Sequence, residues 1–187
     1  EGKRWCETLL ARSQGLSWTV IRPPAVFGAG DPTLRIAAYL QRVEDGGPVL
    51  VPEESHRRPM GLAWSKDIGF GCALACDPRK QVEGKVYNLG FEGVTLEGLL
   101  GAIARAMGKE ANLRPVPYET LPSGASPYGP DPRRAAGYLI DRARKELGFE
   151  PSALEDALAE TLAWFRVARP SHPGYANRAK ELEQAAT

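Results

Sequence analysis

The sequence predicts an α/β fold, and three observations predict it. Short β-branched and apolar runs, Trp18 to Arg22 and Lys85 to Leu89, alternate with stripes of helical period such as Leu96, Leu99, Leu100, Ile103 and Met107. Thr19, Val20 and Ile21 carry no face alternation, which suits a parallel-sheet strand buried on both faces. A helical pattern over 1–14, with Trp5, Leu9 and Leu10 on one face, precedes that strand across a Gly15-Leu16 turn, as in the later half of a βαβ unit. The chain opens inside this helical pattern, which predicts an upstream portion outside the sequence.

Composition narrows the class. With 187 residues, 43% hydrophobic and 25% charged, the chain fits one globular core. Its net charge of +1 is spread along the chain, so no electrostatic footprint for nucleic acid or an anionic membrane is present. No apolar run approaches the ~20 residues of a membrane-spanning helix, and a cytoplasmic protein is expected. Cys6, Cys72 and Cys76 make no disulfide framework. His56 and His172 have no ligand spacing to them, so no metal site is expected, and Cys72 and Cys76 are expected as small buried hydrophobes.

The elements follow in order. A strand over 17–22 must stop at Pro23-Pro24, which cannot donate ladder hydrogen bonds, and its end is expected to open into a loop. Thr33 is placed to cap a helix carrying Leu34, Ile36, Ala37, Leu40 and Val43, ended by Gly46 and Gly47. Val49 to Val51, between prolines, reads as an edge strand. Residues 53–60 read as a solvated polar loop in which Arg57 or Arg58 could meet an anion. A strand-to-helix transition is predicted over Leu62–Ala75, with Asp67 favoured near the helix start and Ile68, Cys72 and Ala75 facing the core. Thr95 caps the 96–107 helix and Gly108 closes it. Asn112 to Pro117 reads as an edge strand, 118–132 as a long loop, and 134–147 as a helix ended by Gly148. Ser152 and Glu155 form a capping box before Leu154, Leu158, Leu162 and Phe165. The tail from Ser171 to Thr187 is polar and Ala-rich with a short helical tendency, and it is expected to be weakly ordered or packed on a neighbour.

One ordered set of motifs resembles a known family. It comprises Gly2-Lys3 with Glu7, Ile21-Arg22-Pro23-Pro24-Ala25-Val26-Phe27-Gly28, Lys66-Asp67-Ile68, Val86-Tyr87-Asn88-Leu89-Gly90, Val94-Thr95-Leu96, and Glu146-Leu147-Gly148-Phe149 with Pro151. In this order, over residues 1–168, they resemble the second half of an extended short-chain dehydrogenase/reductase of the NAD-dependent epimerase/dehydratase class.

The resemblance implies the last part of a Rossmann-type parallel sheet (1–28 and 61–90), a small α+β substrate-binding lobe (29–60 and 91–168) and a tail (169–187). It implies NAD or NADP as cofactor, a small-molecule substrate, a homodimer, and an N-terminal half in cis or as a separate chain. Lys3 resembles the lysine of the family's Tyr-x-x-x-Lys motif, whose tyrosine would precede residue 1. That lysine holds the nicotinamide ribose and lowers the tyrosine pKa. Taken without the resemblance, Lys3 reads as a solvated lysine on a first helical turn.

Pro23, Pro24, Ala25 and Val26 resemble the wall against the nicotinamide, and Arg35 and Arg58 are the candidate substrate-binding residues. Arg22 reads as a structural ion pair or a substrate contact, Asp67 as structural and Asn88 as a hydrogen-bonding corner. No Gly-x-Gly-x-x-Gly occurs in the sequence, so the phosphate loop is expected upstream. Two departures bear on the substrate. Ala25 stands where many nucleotide-sugar enzymes of the class carry an asparagine on the substrate diphosphate, and the Arg58 to Asp67 separation is longer than theirs.

The expected function is the C-terminal portion of an NAD(P)-dependent oxidoreductase of a sugar nucleotide or related hydroxyl/carbonyl compound, inactive in isolation. The alternatives are a non-catalytic module that retains the fold and a reductase of small carbonyl compounds.

Overall fold

The computed structural model describes residues 2–127 and 136–186. In chain order the helices and strands are α1 (Gly2–Arg12), β1 (Thr19–Arg22), β2 (Ala25–Phe27), α2 (Arg35–Asp45), β3 (Val49–Pro52), β4 (Leu62–Trp64), α3 (Ser65–Ala75), β5 (Lys85–Asn88), α4 (Leu96–Met107), β6 (Leu113–Val116), α5 (Asp141–Leu147), α6 (Leu154–Ala168) and α7 (Arg178–Ala185). The strands pair in parallel, two by two: β1 with β5, β2 with β4, and β3 with β6.

The prolines act differently from the simple stop expected of them. The β1 ladder ends at the Arg22–Asn88 pair, but after Pro23-Pro24 the chain resumes at once as β2, with Ala25 opposite Leu62. The kink hands the chain from one partner strand to another. β1 is also only half-buried, not buried on both faces. Among the described residues it pairs along one edge alone, with β5.

Two cores result. The larger joins β2, β3 and β4 to α2, α4 and α6 through Phe27, Tyr39, Leu50's neighbours Val49 and Val51, Leu62, Leu99, Leu100, Ile103, Leu162 and Phe165. Complete burial of each such side chain contributes about 1.5–3 kcal/mol. The smaller packs Tyr87, Leu89, Ile140, Leu147 and Phe149 with Ile68, Leu74 and Ala75. The Thr95 cap is present, its Oγ1 accepting from the Gly98 N–H at 3.0 Å, and Gly46, Gly108 and Gly148 end their helices with positive φ.

Several local expectations are overturned, each by a competing partner. Thr33 does not cap α2; its N–H and hydroxyl donate to Asp31, and the helix starts after Leu34 at φ 52°. Ser152 makes no capping box, because its N–H and Oγ donate to the buried Asp67 carboxylate at 3.0 and 2.7 Å. Cys72 and Cys76 are exposed, since α3 turns Asp67, Gly71 and Ile68 inward instead. The 53–60 loop is not wholly solvated: Ser55, His56 and Met60 are buried, with His56 Nδ1 bonded to the Pro52 carbonyl at 2.9 Å. The helix expected over 134–147 begins only at Asp141, and its first two positions lie outside the described residues, as do 128–132 of the long loop.

The tail is ordered and packs on its own chain, its helical tendency realised as α7. Residues 173–177 form a 3-10 turn docked on α2, and α7 packs on β3 and is joined to α2 by side-chain ion pairs. Arg42, fully buried, donates from Nε to Glu181 Oε2 at 2.8 Å, from Nη1 to the Ala38 carbonyl at 2.8 Å and from Nη2 to the Gly124 carbonyl at 3.2 Å. Arg178 pairs with Asp45 at 2.7 Å and with Glu181 at 3.1 Å, and the Tyr175 hydroxyl donates to Asp45 at 2.8 Å. A buried ion that loses its partner leaves the other charge without solvent or counter-charge. Arg42→Ala is therefore expected to cost about 3–5 kcal/mol in urea unfolding and to open residues 171–186 to limited proteolysis.

Candidate functional site

In open α/β sheets ligands bind beyond the carboxyl ends of the strands, and here that end is built by the Pro23-Pro24 kink. An open cavity of about 400 Å³ is lined there by Pro24, Ala25, Val26, Gly28, Arg35 and Ser65, among others. A larger cavity, about 920 Å³, lies at the amino ends of β1 and β5, lined by Trp18, Cys72, Cys76 and Lys85. The smaller one is the candidate site, because it lies on the ligand-binding side of the strands.

Close packing fixes the kink. A Cβ on Gly61 would lie 2.7 Å from Pro24 Cβ, and one on Gly90 would lie 2.8 Å from the Leu62 carbonyl oxygen and 3.0 Å from Pro24 Cγ. Only glycine lets the two neighbouring chains approach Pro24 this closely. Gly28 is constrained in the same way, since a Cβ there would lie 2.3 Å from Ser65 Oγ and 3.5 Å from Trp64 Cδ1. The Trp64 indole N–H beside it is buried and has no acceptor among the described residues, a cost of about 1–3 kcal/mol.

Lys3 stands on α1. The helix buries no residue, and Trp5 and Leu9 stand 60% and 48% exposed on it. What ties it to β1 is a bidentate ion pair in which the Arg22 guanidinium donates to both Glu7 carboxylate oxygens, at 2.8 Å from Nε. Lys3 is four residues, about one helical turn, before Glu7 and shares its helix face. Lys3 itself is exposed. Hydrogen bonding by Arg22 holds the Glu7 carboxyl below its ordinary range.

The sequence-based candidates are thus placed unevenly. Pro24, Ala25, Val26 and Arg35 line one cavity, Pro23 stands exposed at its edge, and Arg58 lies outside the lining, on the exposed part of the 53–60 loop. Arg22 is an ion-pair residue of the α1 tether. Asp67 is structural, holding Ser152, and Asn88 donates to the Leu139 carbonyl at 3.4 Å, a corner contact as expected. Sequence reasoning missed Ser65. Ser65 follows β4 directly, so its place opposite Gly28 was accessible from the β2–β4 register but from no linear motif.

No family model matches the chain. Over 189 aligned residues it is 26% identical to a putative dihydroflavonol 4-reductase of Synechocystis sp., covering 89% of the chain and 54% of that protein. Among solved structures it is similar to a UDP-glucuronic acid 4-epimerase from Bacillus cereus, in complex with UDP-glucuronic acid and NAD, at TM-score 0.67 and 16% identity, covering 89% of this chain and 50% of that one. It is also similar to DesIV, a dTDP-glucose 4,6-dehydratase from Streptomyces venezuelae solved with NAD bound, at TM-score 0.63 and 23% identity, covering 90% and 49% respectively. The chain spans about half the length of the relatives it matches.

The Glu7–Arg22 tether predicts a pH response. A carboxyl whose folded pKa is depressed contributes stability above its unfolded pKa and loses it as pH falls through the folded value. Docking of α1 on β1 should hold at neutral pH and fail below the usual carboxylate range. NMR shifts of the 2–12 amides are expected to move on acidification, and Glu7→Gln should produce the low-pH pattern already at pH 7.

Proposed function

We propose that this chain, which has the fold and the ordered motifs of the NAD-dependent epimerase/dehydratase class of extended short-chain dehydrogenases/reductases, supplies the nicotinamide-side wall and substrate lobe of an NAD(P)-dependent oxidoreductase. The observation that carries this reading is the Pro24-Ala25-Val26 wall at the carboxyl end of the parallel strands, with the Lys3 helix tied to the same end through Glu7 and Arg22. The residues present fit one end of a dinucleotide. The open cavity beside the kink, walled by Pro24, Ala25 and Val26, has room for a flat ring, whereas the sequence holds no glycine-rich loop for the pyrophosphate.

When bound, the nicotinamide supplies hydride transfer to or from a hydroxyl or carbonyl carbon. The chain's own residues bind and orient. Lys3 would hold the ribose hydroxyls, and its ammonium charge would lower the pKa of a neighbouring phenol contributed from outside these residues. Arg35, on the first turn of α2, lines the cavity and is the candidate to meet a carbonyl or anionic oxygen of the substrate. The free edge of β1 and the exposed Trp5 and Leu9 of α1 are surfaces for the polypeptide that completes the site, in cis or as a separate chain.

Ala25 favours a second reading. It lines the cavity with a methyl group and offers no hydrogen bond to a substrate diphosphate, which suits reduction of a small carbonyl compound better than a nucleotide sugar. The name of the Synechocystis relative points the same way. A substrate screen with NADH and NADPH separates the two.

The 187-residue chain alone is expected to show no turnover with NAD(H) or NADP(H). Turnover by the purified chain would refute the proposal that it is one part of a site. In a reconstituted complete enzyme, Lys3→Ala should lower kcat by roughly 10²-fold or more, the scale of a lost acid–base contribution.

A further inference from the structure

His172 joins the 173–177 turn to α2. Its N–H donates to Gln41 Oε1 at 3.0 Å, and its ring nitrogen Nδ1 accepts from the Gly174 N–H at 3.0 Å, which caps the turn. The ring is half-buried among close-packed backbone. A Cβ on Gly174 would lie 2.9 Å from His172 Nδ1 and 2.7 Å from the Gly124 carbonyl oxygen, and one on Gly124 would lie 3.6 Å from His172 Cε1. Arg42 closes the same place from α2, donating to the Gly124 carbonyl at 3.2 Å and to the Gly174 carbonyl at 3.5 Å. Asn177 adds a bond from Nδ2 to the Ser123 carbonyl at 3.2 Å, so the turn and the 121–126 loop share one seat on α2.

Only a neutral ring fits this arrangement. Nδ1 must keep its lone pair to accept from Gly174, and a proton there would set two donors against each other. The charges within reach oppose an imidazolium as well: burial, then the Arg42 and Arg35 guanidinium groups of α2, hold His172 below its ordinary value. The acidic groups of this corner are engaged elsewhere, Glu181 of α7 by Arg42 and Arg178, and Asp45 of α2 by Arg178 and Tyr175.

We propose that His172 is a pH-sensitive catch on the tail. Neutral, it closes the 173–177 turn over α2 and the 121–126 loop; protonated, it lets that turn go, while α7 stays tied through Arg42, Arg178 and Glu181. Arg35 lies within electrostatic reach of the ring and also lines the candidate cavity, so the charge on the catch is felt there. A histidine whose folded pKa is depressed takes up its proton more readily once the turn has opened. The contribution of the neutral form is therefore complete above the ordinary value of 6.5 and is lost as pH falls through the folded value. Asp45 keeps its charge in that window: burial, the largest influence on it, raises its carboxyl, but the bonds from Arg178, the Gly47 N–H and Tyr175 together carry it below its ordinary value.

Hydrogen exchange of the purified chain tests this, read by NMR as protection factors corrected for the intrinsic pH dependence of exchange, with the α4 amides as reference for the folded core. In the wild type the Gly174 and Tyr175 amides should lose protection by about threefold or more between about pH 7.5 and 5.5, in step with the titration of the His172 ring, while the α4 amides hold theirs. His172→Asn, whose side-chain oxygen can still cap the turn but does not titrate, is expected to keep the pH 7.5 protection within about twofold and to remove its pH dependence. His172→Ala should show the low-pH protection throughout. The other histidine, His56, is left intact in both variants, so a response originating there would survive them. Protection of the two amides that is flat across the range in the wild type, or a pH dependence that persists in His172→Asn, overturns the inference.

Discussion

The absence of an N–H on two successive prolines is the constraint on which the site depends. β1 cannot extend its ladder with β5 past Arg22, so the chain turns and β2 takes up β4 two residues later. That shift places a rigid pyrrolidine, Pro24, between the strand ends. It also obliges the neighbouring backbones to pass close to it at Gly61 and Gly90. The cavity wall and the packing of the Tyr138 ring on Gly61 beside Pro24 both follow from this one break.

The two ends of the chain are attached by opposite means. α1 buries nothing and is held by a half-exposed ion pair, Arg22 with Glu7. Such a pair contributes modestly and responds to pH. α7 is held by Arg42 and Glu181, both without solvent contact, in a network that includes Asp45, Arg178 and Tyr175. Removing one member there strands a charge, so the attachment is stiff. The helix carrying Lys3 is thus the more yielding of the two, and its apolar side chains stand open to a further partner surface.

Helices with a clear apolar stripe were legible in the sequence, because their period and their caps are local properties: Thr95 and Gly108 bound α4 as expected. Where a polar side chain had a choice of partner, local reasoning failed. Ser152 could cap α6 or bond Asp67, and Thr33 could cap α2 or bond Asp31; in both cases the carboxylate is the stronger acceptor. The exposed Cys72 and Cys76 show the same limit, since a helix with few polar residues does not declare which face turns inward.

For the site, the sequence by itself determined the kink, through Pro23-Pro24, and the elements on either side of it, because proline and glycine restrict the backbone wherever they occur. It also determined the candidate roles of Lys3 and the Pro24 to Val26 wall, which are contiguous motifs. Only the tertiary structure decided that Arg35 and not Arg58 lines the cavity, that Ser65 stands opposite Gly28, and that Tyr138 closes over Gly61 from a segment 77 residues away in sequence. Those placements depend on strand register and on which side chain wins each shared partner. Both are set by long-range packing and leave no periodic trace in the chain.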